Sequence, residues 1–187
     1  MFSVPAFIDE LRASIGSPDP AESVSRILSE AISQPAAIEA ALQDAGLATT
    51  EMPQYAVLHQ SPDLTVLHVV LPGGLKGPPH NHLAWVAIGM IRGREESIQY
   101  RRSGAGLVQT GRQELFAPGV MVLPADAIHE IRNPSAERSH ALHVYGGSLA
   151  NPGRSLWNPF TMQEERFEIA ALERYEQELT AASACGS

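Results

Sequence analysis

The sequence predicts a mainly β protein, an antiparallel barrel or sandwich with helices before it and one helix after it. Two observations predict this class. Up to about residue 47, apolar residues recur at intervals of three and four, which is typical of helices, whereas residues 55–147 form short β-rich runs separated by Gly and Pro. We expect one structural domain with an N-terminal helical segment at 1–52 packing on the barrel, a barrel at 53–150 and a C-terminal extension with a helix at 151–187.

The elements follow from local patterns. Prolines at 5, 20 and 35 stand where helix starts tolerate them, and Gly46 is a suitable helix end. After the barrel, Thr161 is expected to cap a final helix. The apolar positions of the N-terminal helices are Val24, Ile27, Leu28, Ile32, Ile38 and Leu42, and those of the final helix are Phe167, Ala171, Tyr175 and Leu179.

Composition narrows the function. The chain has 187 residues and a net charge of −8, with no basic stripe, which disfavours nucleic acid as a partner. Its longest apolar runs are too short to span a membrane, and its first residues lack the pattern of a signal peptide, so we expect a cytoplasmic protein. The single cysteine, Cys185, excludes an internal disulfide. We expect a small-molecule partner. The sequence does not decide the oligomeric state, and a homodimer is one of the alternatives.

Histidines supply the first sign of chemistry. His80 and His82 are two residues apart, so in a strand both side chains point to the same face and can meet at one point. Neutral imidazole suits iron, nickel, copper or zinc, whereas magnesium and calcium prefer oxygen ligands. The pair is therefore a candidate transition-metal site.

A longer pattern resembles the two motifs of the cupin superfamily. The resemblance implies a cupin double-stranded β-helix (jelly-roll) barrel, adds His129 as the third metal ligand, and implies one divalent transition metal per chain, iron(II) first, with zinc or nickel as alternatives. The matching residues are Gly74, His80, His82 and Gly93 in the first motif and Pro124, His129 and Asn133 in the second, where Asp126 replaces the usual glycine.

Residues 141–145 read Ala-Leu-His-Val-Tyr, and this segment resembles the last barrel strand of thiol dioxygenases of the cysteine dioxygenase type. Many cupins have a fourth ligand, a glutamate, where this chain has Val86 and Ala87, and these dioxygenases also lack it. Their last barrel strand carries a histidine and a tyrosine that match His143 and Tyr145, while Ala141 replaces their serine. The resemblance implies that Tyr145 reaches the bound ligands and that His143 supports it.

Other family positions differ. The arginine that grips the substrate carboxylate in the cysteine-specific enzymes is replaced by Val57. Arg101 or Arg102 could reach the pocket from another strand, but a solvated role on an edge strand is the favoured interpretation. Glu95 and Glu96 follow the turn at Gly93 and are expected to face solvent.

The predicted function is a non-haem iron(II)-dependent dioxygenase that acts with dioxygen on a small thiol or a related small molecule. One alternative is a cupin that binds a metal and a small ligand without redox turnover. Another is a zinc- or nickel-dependent isomerase or hydrolase, which would need a carboxylate base, with Glu114 and Glu130 as candidates.

Overall fold

The computed structural model describes residues 2–47, 54–104 and 106–185. The expected boundary between helical segment and barrel, at residues 52 and 53, lies outside them. The helices are α1 (Val4–Ser14), α2 (Pro20–Ile32), α3 (Pro35–Asp44) and α4 (Ile169–Cys185). The strands are β1 (Gln54–Gln60), β2 (Thr65–Leu71), β3 (His80–Asn81), β4 (Val86–Arg92), β5 (Arg94–Ser103), β6 (Gly106–Phe116), β7 (Gly119–Leu123), β8 (Ile128–Arg132), β9 (Ser139–Tyr145), β10 (Ser155–Trp157) and β11 (Glu164–Arg166).

The strands form two antiparallel sheets. Their orders are β1-β2-β9-β4-β7 and β11-β10-β3-β8-β5-β6. From β2 to β9 each strand lies in the other sheet from the strand before it, except at the β5–β6 hairpin. The first and last strands of this series, β2 and β9, pair with each other. This strand order is that of a jelly roll, and the predicted cupin double-stranded β-helix with helices at both ends is confirmed.

The three prolines stand in the first turns of the N-terminal helices, as predicted, where a missing N–H costs nothing. Helix α2 packs on β4, where Gly89 permits a close approach: a Cβ there would stand 3.1 Å from Leu28 Cδ2 and 3.2 Å from Ile32 Cγ2. The predicted apolar positions of these helices, Val24, Ile27, Leu28, Ile32, Ile38 and Leu42, are all buried in one core cluster.

The prediction for the final helix is wrong at its start. Thr161 does not cap it, because the side chain of Asn158 accepts the backbone N–H of Thr161 in a turn and Met162 has a positive φ of 57°. The following residues pair as β11 with β10, and α4 begins only at Ile169. No helix within the described ranges is long and apolar enough to cross a membrane.

Candidate metal centre

Three imidazoles meet inside the barrel. His80 on β3 pairs in register with His129 on β8, and His82 follows β3 directly. All three residues are buried, and their candidate ligand atoms lie within 4.8 Å of one another. The sequence predicted this set of three, and the structure brings them together.

The nitrogen positions fit a shared ion. His80 Nε2 and His82 Nε2 are 3.1 Å apart. Two nitrogens at about 2.1 Å from one metal, separated by an angle of roughly 90 to 109°, lie about 3.0 to 3.4 Å apart. His129 Nε2 is buried and has no hydrogen-bond partner in the described part of the chain, an arrangement that costs free energy unless a ligand accepts the lone pair. The donor set therefore suits one transition-metal ion.

Neighbouring groups hold two of the rings in place. The carbonyl oxygen of Pro78 lies 3.0 Å from His80 Nδ1 and accepts its N–H, which leaves Nε2 as the free lone pair. Ser97 Oγ lies 3.1 Å from His129 Nδ1 and can act in the same way. Such partners fix the tautomer and the orientation of ligand histidines.

Burial also sets the charge of the three rings. It lowers the pKa of His80 to about 4, although the Pro78 carbonyl opposes the shift. Burial likewise lowers the pKa of His82 and of His129 well below the usual range, and the neighbouring rings add to this. At neutral pH all three are therefore uncharged, which is the form that binds a metal.

The predicted pair on β9 lies beside these rings. The Tyr145 hydroxyl is 3.2 Å from His143 Nδ1, and the Tyr145 ring packs edge-on against His82 with 4.9 Å between centroids. Burial raises the pKa of Tyr145, so the phenol keeps its proton at neutral pH. Tyr145 and His143 line the same cavity as the three histidines.

The expectation that Glu95 faces solvent is wrong. It is 1% exposed, and its Oε2 lies 3.7 Å from His143 Nε2. Neither atom has a hydrogen-bond partner within the described ranges. Glu95 and Ser97 are two apart on β5, so both side chains turn into the barrel. The register of β5, which the sequence does not show, decides this.

Glu96 was also expected in solvent and is also buried. It pairs with Arg112 and lies 3.8 Å from Arg132, so two guanidinium groups offset its charge. Both side chains come from strands that neighbour β5. Glu96 therefore belongs to a network of ion pairs and does not line the cavity.

A cavity of about 490 Å³ adjoins the three histidines, and it contains an arginine that the sequence did not indicate. Arg154 is 7% exposed, and it donates to the backbone carbonyls of Asn81 and Leu149, each at 3.0 Å. Its guanidinium stacks 3.7 Å from the centre of the Phe167 ring. Burial lowers its pKa to about 10, and no carboxylate pairs with it among the described residues.

The solvated role favoured for Arg101 and Arg102 agrees with the structure. Val57 is 53% exposed and contributes only an apolar group to the lining. Arg102 forms an exposed ion pair with Glu164, and Arg101 is exposed on the same strand. Neither arginine lines the cavity. Arg154 follows an Asn-Pro-Gly turn without a recognisable motif, so no local signal could have selected it.

The cavity also contains an acid, Glu176 on α4. Its Oε1 accepts the Tyr55 hydroxyl at 2.6 Å, while Oε2 is buried without a partner in the described part of the chain. Burial raises its pKa to about 7. The two acids considered as a base for the isomerase or hydrolase alternative do not line the cavity: Glu114 is partly exposed near Arg94, and Glu130 pairs with Arg132 and accepts the Tyr100 hydroxyl.

Solved structures similar to this chain include several cupins. No protein-family model matches the sequence. A protein with a double-stranded β-helix domain from Klebsiella pneumoniae is 19% identical, with 58% of this chain and 87% of that one covered, at a TM-score of 0.46. An RmlC-like cupin from Methanocaldococcus jannaschii is 15% identical (55% and 88% covered, TM-score 0.43), and a cupin 2 barrel protein from Salinispora arenicola is 17% identical (67% and 83%, 0.40).

At these identities the similarity concerns the fold alone, and the strand order carries the assignment. The chain has the cupin double-stranded β-helix fold, with a cluster of three histidines whose geometry suits a metal ion.

Proposed function

We propose that this protein is a non-haem iron(II)-dependent dioxygenase of the cysteine dioxygenase-like type that oxidises a small thiol. The observation that carries the proposal is the buried group of three neutral imidazoles with the Tyr145 hydroxyl beside it, at one cavity. The overall reaction converts R–SH and O₂ into R–SO₂H. The sulfur loses four electrons and dioxygen gains four, so no further reductant is needed.

His80, His82 and His129 would hold the iron, which supplies open coordination positions and one-electron chemistry when bound. Three neutral ligands leave the full positive charge of the ion uncompensated. The site therefore favours an anionic ligand such as a thiolate. Val86 and Ala87, at the positions where many cupins have a glutamate, contribute no ligand atom, which keeps room for substrate.

Tyr145 and His143 position the reacting groups. The Glu95 carboxylate near His143 Nε2 favours a proton on that nitrogen, so Nδ1 is free to accept the Tyr145 hydroxyl. This chain of contacts keeps the phenol oxygen at the cavity wall, beside His82. Glu95 thus supports His143, whereas Ala141, which replaces the serine of the related enzymes, has no hydroxyl to do so.

Arg154 is suited to hold a carboxylate of the substrate. A buried cation without a counter-ion is unfavourable, and an anionic ligand in the cavity would offset it. Guanidinium can bind a carboxylate through two parallel hydrogen bonds. In this protein Arg154 would bind the substrate carboxylate. In the cysteine-specific enzymes an arginine at the position of Val57 does so.

The test is anaerobic reconstitution with iron(II), followed by oxygen uptake with cysteine, 3-mercaptopropionate and cysteamine. We expect one iron per chain and one O₂ consumed per thiol oxidised. Tyr145→Phe should lower kcat with the iron content unchanged, whereas His82→Ala should lose the iron. Arg154→Gln should raise KM for the thiols that carry a carboxylate and leave KM for cysteamine unchanged.

One result contradicts the proposal: a chain that holds one iron and consumes no oxygen with any of these thiols. The cupin that binds metal and a small ligand without turnover would then be the better description.

A further inference from the structure

The cavity wall contains a further polar group, the carboxyl of Glu176. Glu176 is 3% exposed and projects from α4, which also contributes Ile169 and Leu172 to the cavity wall. One carboxyl oxygen accepts the Tyr55 hydroxyl at 2.6 Å. The other, Oε2, is buried and has no partner within the described ranges. A buried acceptor without a donor is costly, so this oxygen is suited to a group that enters the cavity.

No basic side chain in the described part of the chain is paired with Glu176, although Arg154 and Arg166 also line the cavity. The Oε1 atom of Glu176 lies 4.0 Å from where a Cβ on Gly77 would stand, next to Ile131, so the segment that leads to His80 passes over it. The charge of Glu173, on the same helix, disfavours ionisation of Glu176 and raises its pKa, in addition to the larger effect of burial. A positive group is the missing partner here.

We propose that Tyr55 and Glu176 form a binding subsite for the ammonium group of an amine-bearing ligand. The proposal rests on the proposed function for the ligand's thiol end, which would lie at the three histidines. An ammonium donates to Oε2 and supplies the positive charge. A hydroxyl would donate without offsetting the charge, and a carboxylate would be repelled, so the subsite selects amines.

When Glu176 is ionised, the subsite and Arg154 carry opposite charges in the same cavity, and neither is paired with a side chain of opposite charge in the described residues. Each is therefore available to a ligand. Because hydrogen bonds to charged groups contribute more than neutral ones, we expect the amine to improve binding on the order of tenfold to a hundredfold.

The test compares two thiols of equal length, cysteamine and 2-mercaptoethanol, which differ only in amine against hydroxyl. Their affinities are measured by calorimetry on the full iron(II)-loaded chain without oxygen. In the wild-type protein cysteamine should bind more tightly by the factor above. In Glu176→Gln, which keeps the shape and can still accept the Tyr55 hydroxyl, the two affinities should become equal.

Two further variants control for folding and charge. Glu178→Gln removes an exposed acid from the same helix and should leave the preference unchanged. Glu176→Asp keeps the charge on a shorter side chain and should retain part of the preference. The inference fails if the wild-type protein does not prefer cysteamine, if neither thiol binds, or if Glu176→Gln keeps the preference.

These outcomes are independent of turnover. A cysteamine preference that depends on Glu176 in a protein that consumes no oxygen would support the subsite and refute the dioxygenase. If the protein consumes oxygen and Glu176→Gln keeps the preference for cysteamine, the dioxygenase is supported and the subsite is refuted. If Glu176→Gln lowers kcat and changes neither affinity, the carboxyl acts in proton transfer and the binding subsite is refuted.

Discussion

Replacing Glu176 with glutamine should stabilise the protein at neutral pH and leave its stability at acid pH unchanged. Burial raises the pKa of Glu176 from 4.5 to about 7, although the Tyr55 hydroxyl lowers it in part. The folded chain therefore resists an ionisation that the unfolded chain makes freely. Glutamine keeps the size and the Tyr55 contact and has nothing to ionise.

The magnitude follows from the two pKa values. Below pH 4.5 the carboxyl is protonated in both states, and the free energy of unfolding is unaffected. Between pH 4.5 and 7 the unfolded state binds fewer protons than the folded state, so stability falls as pH rises. At about 1.4 kcal/mol for each pKa unit, the shift from 4.5 to about 7 costs the wild-type protein about 3 to 4 kcal/mol, and this cost is complete above pH 7.

The assay is urea denaturation of the metal-free wild-type protein and of Glu176→Gln at several pH values from 4.5 to 8. The difference between the two proteins is the quantity of interest, because the buried histidines titrate alike in both and their contributions cancel. Glu178→Gln, which alters an exposed acid, should show no comparable trend. A difference between wild type and Glu176→Gln that stays constant across this range would refute the account of Glu176.

Three further predictions concern the metal centre and the core. Ser97→Ala removes the partner of His129 Nδ1 and should weaken metal affinity by about 10- to 100-fold in a competition titration with a chelator, while Ser103→Ala, on the exposed end of the same strand, should not. Glu95→Gln should lower the kcat of oxygen uptake by on the order of tenfold with one iron still bound, because His143 loses the charge that sets its tautomer; an unchanged kcat would exclude this role. Leu28→Ala, at the contact of α2 with Gly89, should reduce the free energy of unfolding by about 2 to 5 kcal/mol in urea.

Local periodicity was enough to predict much of the fold and the pairing of His80 with His82, whereas His129 was added by the cupin resemblance. His80 and His82, like His143 and Tyr145, are two apart on extended chain, so their shared face follows from strand geometry alone. The prolines and the spacing of apolar residues in α2 and α3 likewise act within single elements. Such signals do not depend on how the elements are later arranged.

The remaining groups depend on tertiary packing. Glu95 turns inward through the register of β5, and Arg154 enters the cavity from a turn that no motif marks. On α4 the apolar stripe indicated Tyr175, and the neighbouring Glu176 is buried as well because that face of the helix closes the cavity. The late start of α4 arises from the Asn158 turn and the pairing of β11, which compete with a helix that Thr161 could otherwise cap.

The most direct test of the proposed activity uses isotopically labelled dioxygen. Iron-loaded protein is supplied with each thiol in turn, and the product is analysed by mass spectrometry. The account predicts that one thiol gains both labelled oxygen atoms on its sulfur, and that His129→Ala, which loses a metal ligand, forms no such product. A protein that retains one iron per chain and yields no labelled product with any thiol would contradict it.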